Sequence, residues 1–261
     1  MNWIEALILG ILQGLAEFLP ISSSGHLEIG KVLLNVEAKN SITFTVVVHG
    51  ATVLSTVIVF WKDIVSIFKG IFKFEWNEAT KYVGMILVSM IPISIAGIFF
   101  KHEIESFFTG NMIFVGSMLI ITSLLLGFTY YAKSRENPIT FLDSFLIGIA
   151  QALAVLPGIS RSGSTIALGL LLGKKKEEIA KFSFLMVLIP IIGANLKDAL
   201  SGELSNDTSV EFFPLLVGFL AAFISGLLAC RWMLKIVKRG KLIYFAIYCL
   251  LVGIIAILTA I

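Results

Sequence analysis

Apolar residues in this chain gather into long runs rather than alternating with the short period of a half-buried strand or soluble amphipathic helix. Six runs approach the ~20 residues that a bilayer-spanning helix needs: 41–61, 80–100, 112–132, 181–200, 211–230 and 241–261. Two more are apolar but interrupted. Residues 1–30 carry Gln13, Glu17, Pro20 and Ser22-Ser23-Ser24-Gly25-His26. Residues 141–173 carry Gln151 and then Pro157-Gly158-Ile159-Ser160-Arg161-Ser162-Gly163-Ser164-Thr165. This pattern predicts an all-α polytopic membrane protein, and composition agrees: 57% of the 261 residues are hydrophobic and 14% charged, with mean hydropathy +0.97. Soluble domains run about 45–50% apolar and about 25% charged. A water-soluble globular enzyme and a disordered chain are thereby excluded. The net charge of +3 gives no reason to expect a nucleic-acid partner.

Cys230 and Cys249 lie in separate apolar runs without metal-ligand spacing and read as buried free thiols. The first apolar stretch has Glu5 and no basic residue ahead of it, which argues against a cleavable leader.

Where the cations fall decides how the interrupted runs lie. Fifteen of the 20 Lys and Arg sit within 62–81, 133–135, 174–181 and 231–241. The positive-inside rule assigns these stretches to the cytoplasm. Lys31, Lys39, Lys101 and Lys197 are left for the opposite connections, and Arg161 stands alone inside an interrupted run. Both ends of 141–173 then face the cytoplasm, so the segment crosses an even number of times. Two full crossings need ~40 residues, more than are present. The limb 162–172 reaches only ~16 Å as a helix. A re-entrant hairpin entering from the cytoplasm satisfies both constraints. Residues 1–30 form the counterpart from the other face, leaving both termini on the side opposite the cytoplasm.

The interrupted runs also resemble each other. Gly10, Gln13, Leu15, Ala16, Ser22, Ser24 and Gly25 recur 138 positions later as Gly148, Gln151, Leu153, Ala154, Ser160, Ser162 and Gly163. Each half, 1–132 and 141–261, therefore reads as one hairpin followed by three spans. Three is odd, so the halves are inverted, as in many transporters with a midplane site built from broken helices. Opposed tips place two serine- and glycine-rich helix starts at one centre, where free N–H groups attract phosphate.

The tips differ in the residues that carry chemistry. The first has Glu17 and His26, and the second has Arg161. Together with Ser23 and the other hydroxyls they suit phosphoryl transfer: a guanidinium clamps phosphate, His or Ser attacks, and a carboxylate acts as base or metal ligand. Gln13, Ser22, Ser24, Gly25, Ser160, Ser162, Gly163 and Thr165 complete the expected phosphate-binding set. An arginine in an apolar hairpin marks a site more often than a structural pair. Each single hydroxyl is as readily a helix cap as a ligand. His49, inside the first full span, suits a polar pocket and a buried hydrogen-bonded histidine equally well.

The stretches Gln13–His26 and Pro157–Thr165 resemble the two signatures of the BacA-type undecaprenyl-diphosphate phosphatases. The resemblance extends over nearly the whole chain. It implies a bacterial membrane enzyme that hydrolyses undecaprenyl diphosphate to the monophosphate and inorganic phosphate. That step recycles the cell-wall lipid carrier and confers bacitracin resistance. It further implies a divalent cation, Mg²⁺ or Ca²⁺, held through Glu17. The active site would open to the outer face, with Glu17, His26 and Arg161 at its centre and Ser23 and Thr165 close by. Gln13 departs from the second acidic residue of many members, so a cation meets one carboxylate here rather than two. The resemblance leaves the nucleophile open between His26 and Ser23. The expected partners are a polyprenyl diphosphate and the bilayer, with homo-oligomerisation left open. The competing class is a transporter or flippase for an anionic lipid or other anionic substrate, which would use the same pocket without releasing phosphate.

Overall fold

The computed structural model describes residues 1–36, 41–107, 111–132, 136–200 and 211–260. Lys39, Lys133 and Arg135, with the side chains of Lys101 and Lys197, lie outside the described residues. Among the described residues the regular structure is helical: α1 (Trp3–Phe18), α2 (Ser23–Leu33), α3 (Ser41–Val59), α4 (Trp61–Ile71), α5 (Glu78–Phe99), α6 (Lys101–Ser106), α7 (Met112–Phe128), α8 (Phe141–Leu153), α9 (Arg161–Leu171), α10 (Lys176–Met186), α11 (Leu188–Leu200), α12 (Phe212–Arg239) and α13 (Ile243–Leu258). A 3₁₀ turn, Thr129–Tyr131, extends α7.

Two short helical hairpins, α1–α2 and α8–α9, begin with the same local chemistry. At α1 the Asn2 side chain accepts from the Ile4 and Glu5 amides while Glu5 reaches back to the Asn2 N–H at 2.8 Å. Thr140 and Asp143 form the equivalent box at α8. Such boxes satisfy the first orphan amides of a helix. The second limbs are capped by serine: Ser22 Oγ accepts from Gly25 N–H at 3.2 Å, and Ser160 Oγ from Gly163 N–H at 3.0 Å.

Lys174, one of the cations that the sequence assigns to the cytoplasmic side, is buried at the base of the second hairpin. It meets Asp143 at 2.6 Å and the Pro138 carbonyl at 3.2 Å, and its backbone bridges to Asn137. Asp143 at the start of α8 is thereby tied to the residue that follows α9.

α5, α7 with its 3₁₀ extension and α12 are each long and apolar enough to cross a bilayer. α12 has 28 residues, about 42 Å of helix against ~30 Å of hydrocarbon. Its basic last turns therefore project beyond the apolar layer. Two stretches depart from the pattern read in the sequence. The chain does not loop after α3 but bends by 74° into α4, a helix with no buried residue that carries Lys62, Asp63 and Lys69 along the surface. The run 181–200 is divided at Val187 into α10 and α11. Pro190 accounts for the break, because it cannot donate to the Met186 carbonyl and its ring crowds that oxygen.

Small residues let the helices pack closely, and large apolar side chains fill the core and also cover the outer surface. α1 lies along α12, α8 along α5, and α7 along α13. A Cβ on Gly116 would come within 2.6 Å of the Gly253 carbonyl, and one on Gly253 within 2.7 Å of the Gly116 carbonyl. The α7–α13 crossing thus depends on two glycines, as close membrane-helix contacts generally depend on small residues. Phe18, Phe60, Phe182, Phe184 and Met186 form the main core, while Ile98, Leu228, Leu251 and Leu258 stand exposed on the outer surface. A soluble monomer does not expose so much contiguous apolar area. Cys230 and Cys249 are free and buried.

Candidate active site

The two hairpin tips meet. Between α1 and α2 the chain turns through Leu19-Pro20-Ile21-Ser22, and Ser22 adopts φ 71°. That left-handed value is costly for serine, and such strain gathers at functional sites. The second tip turns at Gly158, φ 101°, and is pinned by Thr122 of α7, whose hydroxyl donates to the Gly158 carbonyl (3.0 Å) and accepts from the Ser160 amide (2.9 Å). Ser162 Oγ donates across to the Leu19 carbonyl at 3.3 Å. Gly25 and Gly163 permit the contact: a Cβ on Gly25 would lie 3.0 Å from Gly158 Cα, and one on Gly163 3.2 Å from Pro20 Cβ.

A cavity of about 430 Å³ adjoins the tips. Glu17, Ser23 and Ser24 from the first tip and Ser160, Arg161 and Ser162 from the second line it together. The serine caps engage the Gly25 and Gly163 amides and leave those of Ser23, Ser24, Arg161 and Ser162 at the two helix starts. Two helix N-termini converging on one space form a strong anion site.

Glu17 is the centre of the polar contacts. Buried, it accepts from Arg161 Nη2, from Ser23 Oγ at 2.8 Å and from Gln13 Nε2 at 2.9 Å. His49 Nδ1 donates to the Thr45 carbonyl at 2.8 Å, which directs Nε2 to within 3.9 Å of Glu17 Oε2. Among the described residues several buried polar atoms have no hydrogen-bond partner, including Arg161 Nη1, Gln13 Oε1, Ser164 Oγ and both amide atoms of Gln151. Buried polar atoms are rarely left unmatched unless something outside the chain satisfies them. Of these residues Arg161 and Gln151 line the cavity, so their unmatched atoms lie nearest to a polar ligand there.

Other sequence-derived candidates are placed less directly. Gln13 stands behind Glu17, Ser22 caps α2, and Gly25 and Gly163 serve the tip contact. Thr165 points away from the cavity, donating to the Arg161 carbonyl at 2.9 Å and meeting Ser183 Oγ at 2.6 Å. His26 is outside the cavity lining. Its Nδ1 lies 3.0 Å from the Ser22 carbonyl and its Nε2 2.9 Å from Tyr248 Oη, with the two rings stacked. A carbonyl only accepts, so Nδ1 carries the proton and the Nε2 lone pair of the neutral ring takes the tyrosine hydroxyl. The cavity also includes His49, which the sequence left open between a polar pocket and a buried hydrogen-bonded histidine, and Thr45 and Gln151, which it did not assign to the site. Gln151 could have been found from the repeat, since it is the counterpart of Gln13. His49 had no motif to mark it.

For a hard divalent cation the donors are few. Among the described residues no group of three His, Cys, Asp or Glu side chains converges. Glu17 on the cavity wall is nonetheless an oxygen donor, with the Gln13 side chain beside it, and Mg²⁺ commonly uses one or two protein oxygens and takes the rest from substrate phosphate and water. The residues fit a cation that arrives with, or is completed by, a phosphate ligand.

Helices sheathed in apolar side chains around a cavity that bears an acid and an arginine define a multi-pass membrane protein with a polar interior site. The comparisons agree with that class. Residues 6–255 match the family described as Bacitracin resistance protein BacA. A relative from Bacteroides fragilis named undecaprenyl-diphosphatase is 56% identical over 265 residues, covering 100% of this chain and 99% of the relative. One of the same name from Parabacteroides distasonis is 55% identical, with 98% of each chain covered. Another, from the archaeon Methanosphaera stadtmanae, is 38% identical over 100% of this chain and 99% of its own. The chain belongs to the BacA family.

Proposed function

We propose that this protein hydrolyses undecaprenyl diphosphate to undecaprenyl phosphate and inorganic phosphate, recycling the lipid carrier of cell-wall synthesis. The observation that carries the reading is the buried Glu17 carboxylate, which receives both Arg161 and the Ser23 hydroxyl at the wall of a cavity facing two helix N-termini. The names of the full-length relatives support it.

In this reading the lipid enters sideways from the bilayer and its terminal phosphate lies against Arg161 Nη1 and the open amides. Ser23 Oγ attacks the terminal phosphorus while Glu17 takes the hydroxyl proton. The bond from phosphorus to the bridging oxygen breaks, and undecaprenyl phosphate departs. Glu17 passes that proton to the departing phosphate, then takes one from an attacking water and returns it to Ser23 Oγ as the serine is displaced and inorganic phosphate is released. Ser23 is preferred to His26 because it is on the cavity wall within hydrogen-bond reach of a base, whereas the His26 Nε2 lone pair is taken by Tyr248. Arg161 and the helix starts stabilise charge that develops on the phosphoryl oxygens. Glu17 and Gln13 Oε1 are the residues that would hold Mg²⁺ or Ca²⁺. Such a cation neutralises diphosphate charge.

The architecture proposed around this site has six spans, formed by α3, α5, α7, α10–α11, α12 and α13, with α1–α2 and α8–α9 as opposed re-entrant hairpins. The halves 1–132 and 141–261 are then inverted repeats in the inner membrane with both termini outside. Support comes from capping boxes and serine caps recurring at an offset of 138, and from α1 on α12 matching α8 on α5. The mutual Gly116–Gly253 contact fits a symmetry axis between α7 and α13.

Phosphate release from a polyprenyl diphosphate by detergent-purified protein tests the function. A carrier would release none, and Arg161→Ala should abolish release while leaving a folded protein. Normal turnover by that variant would overturn the mechanism.

A further inference from the structure

A second cavity, about 670 Å³, lies behind the first hairpin, between α1, α12 and α13. Trp232, Lys235, Ile236 and Arg239 share one face of α12, since residues three, four and seven apart align on a helix. Lys241, Tyr244 and Tyr248 bring the same spacing from the turn into α13. Leu15 and Leu19 close the inner end. The groove is thus graded: cations gather around the Gly240 turn, aromatic rings with polar edges follow, and the far end is aliphatic. Lys235, Arg239 and Lys241 are exposed and, among the described residues, have no acidic partner, in contrast to the nearby Lys238, which pairs with Glu177 at 2.5 Å.

We propose that this groove holds an acidic membrane phospholipid, its phosphate at Lys235, Arg239 and Lys241 and an acyl chain running toward Leu15 and Leu19. Charge complementarity selects the headgroup, and the Trp and Tyr rings lie where the boundary between headgroup and hydrocarbon would fall. The groove and the phosphatase cavity share Ala16 as a wall, so a bound lipid would brace the tip that carries Glu17 on its other side. The cytoplasmic placement of the groove rests on the topology given under Proposed function; its chemistry does not.

Native mass spectrometry of the purified full chain, titrated with phosphatidylglycerol or phosphatidylcholine, tests the assignment. The wild type should retain phosphatidylglycerol and not phosphatidylcholine. Arg239→Gln should weaken retention about fivefold, and each further loss, K235Q and K241Q, by a similar factor. A control with three cations removed from α4 and the turn after it (K62Q, K69Q, K73Q) should retain lipid normally. Equal retention by the triple groove variant, or equal loss in the control, overturns the proposal. So does displacement of phosphatidylglycerol by undecaprenyl phosphate at far lower concentration, which would make the groove a path for the carrier lipid. Phosphate release measured on the same samples separates the two readings: a wild type that binds phosphatidylglycerol but releases no phosphate fails as a phosphatase while the groove assignment stands.

Discussion

Arg161→Lys separates the phosphate clamp from the fold. Arg161 has two tasks: Nη2 pairs with Glu17 and Nη1 is left for a ligand. A lysine retains one positive charge but presents a single ammonium, which cannot occupy both positions. The Glu17 carboxylate keeps Ser23 and Gln13 as donors, so the buried pair is weakened rather than abandoned. Arg161→Ala, by contrast, leaves the carboxylate without its cation, a change that costs about 3–5 kcal/mol for buried pairs. Losing one donor aimed at a developing oxyanion lowers kcat by about 10²–10³. The expected outcome for Arg161→Lys is therefore a loss of that size in phosphate release. The melting temperature in detergent should fall by only a few degrees, and by distinctly less than for Arg161→Ala. Steady-state phosphate release and thermal unfolding monitored on the same preparation provide the comparison. Activity within about threefold of wild type would refute the clamp, since a clamp of this kind contributes at least a tenfold effect. A loss of activity that simply tracked unfolding across both variants would show Arg161 to be a structural counter-ion.

Four further outcomes follow from the geometry. Ser23→Ala should lower turnover by about 10⁴-fold or more if its oxygen attacks phosphorus, and radiolabel from a terminally labelled substrate trapped on Ser23 in the wild type would confirm the covalent step; a fully active alanine variant would exclude it. Tyr248→Phe removes the hydroxyl that fixes His26, worth about 1 kcal/mol, and should slow turnover only a few-fold without changing the covalent residue, whereas a nucleophilic His26 would shift the pH profile. Chelation should abolish phosphate release, with Mg²⁺ or Ca²⁺ restoring it, and Gln13→Glu, which adds a second carboxylate, should lower the cation concentration needed by about tenfold; an unchanged requirement would remove Gln13 from the cation site. Gly116→Leu forces a side chain into the Gly253 carbonyl and should destabilise the protein by about 1–3 kcal/mol or more, read as a lowered melting temperature; an unshifted melt would contradict the crossing.

Membrane chemistry makes some parts of such a chain unusually legible. A polar residue in an apolar run is costly, so Glu17, Ser23 and Arg161 announced themselves, and the structure places them around one cavity. The helix starts could be read for the same reason: serine followed by glycine at both tips is a capping pattern that depends only on neighbours in sequence. What depends on distant neighbours was not readable. Tyr248 is 222 positions from His26, and nothing local indicates that their rings stack. His49 sits on α3 with no charged neighbour in that helix, and only the approach of α1 brings Glu17 within 3.9 Å of it. The bend into α4 and the break at Val187 escaped because hydropathy registers apolar length and not direction. Pro190 was the available signal for the second.

The first hairpin explains how one turn of helix can serve two environments. Glu17 and Ala16 face the phosphatase cavity, while Leu15, Leu19 and Ala16 again face the basic groove behind it. At 100° per residue, neighbours along α1 point to different sides, so a hairpin only one helix thick separates a polar space from an amphipathic one. The partition matters for the choice between enzyme and carrier. A carrier must let its anionic load pass between the two spaces. Here the tips are held in contact by Ser162 on the Leu19 carbonyl and by glycines at which an added Cβ would lie 3.0 Å (Gly25) or 3.2 Å (Gly163) from the opposite tip. Gly25→Ala would press a Cβ to 3.0 Å from Gly158 Cα and make the second tip give by a few tenths of an ångström. If the contact serves to seal and align a hydrolytic site, that variant loses phosphate release and gains no lipid translocation in vesicles. Translocation that persists or increases, with release abolished, would instead identify the tips as a gate.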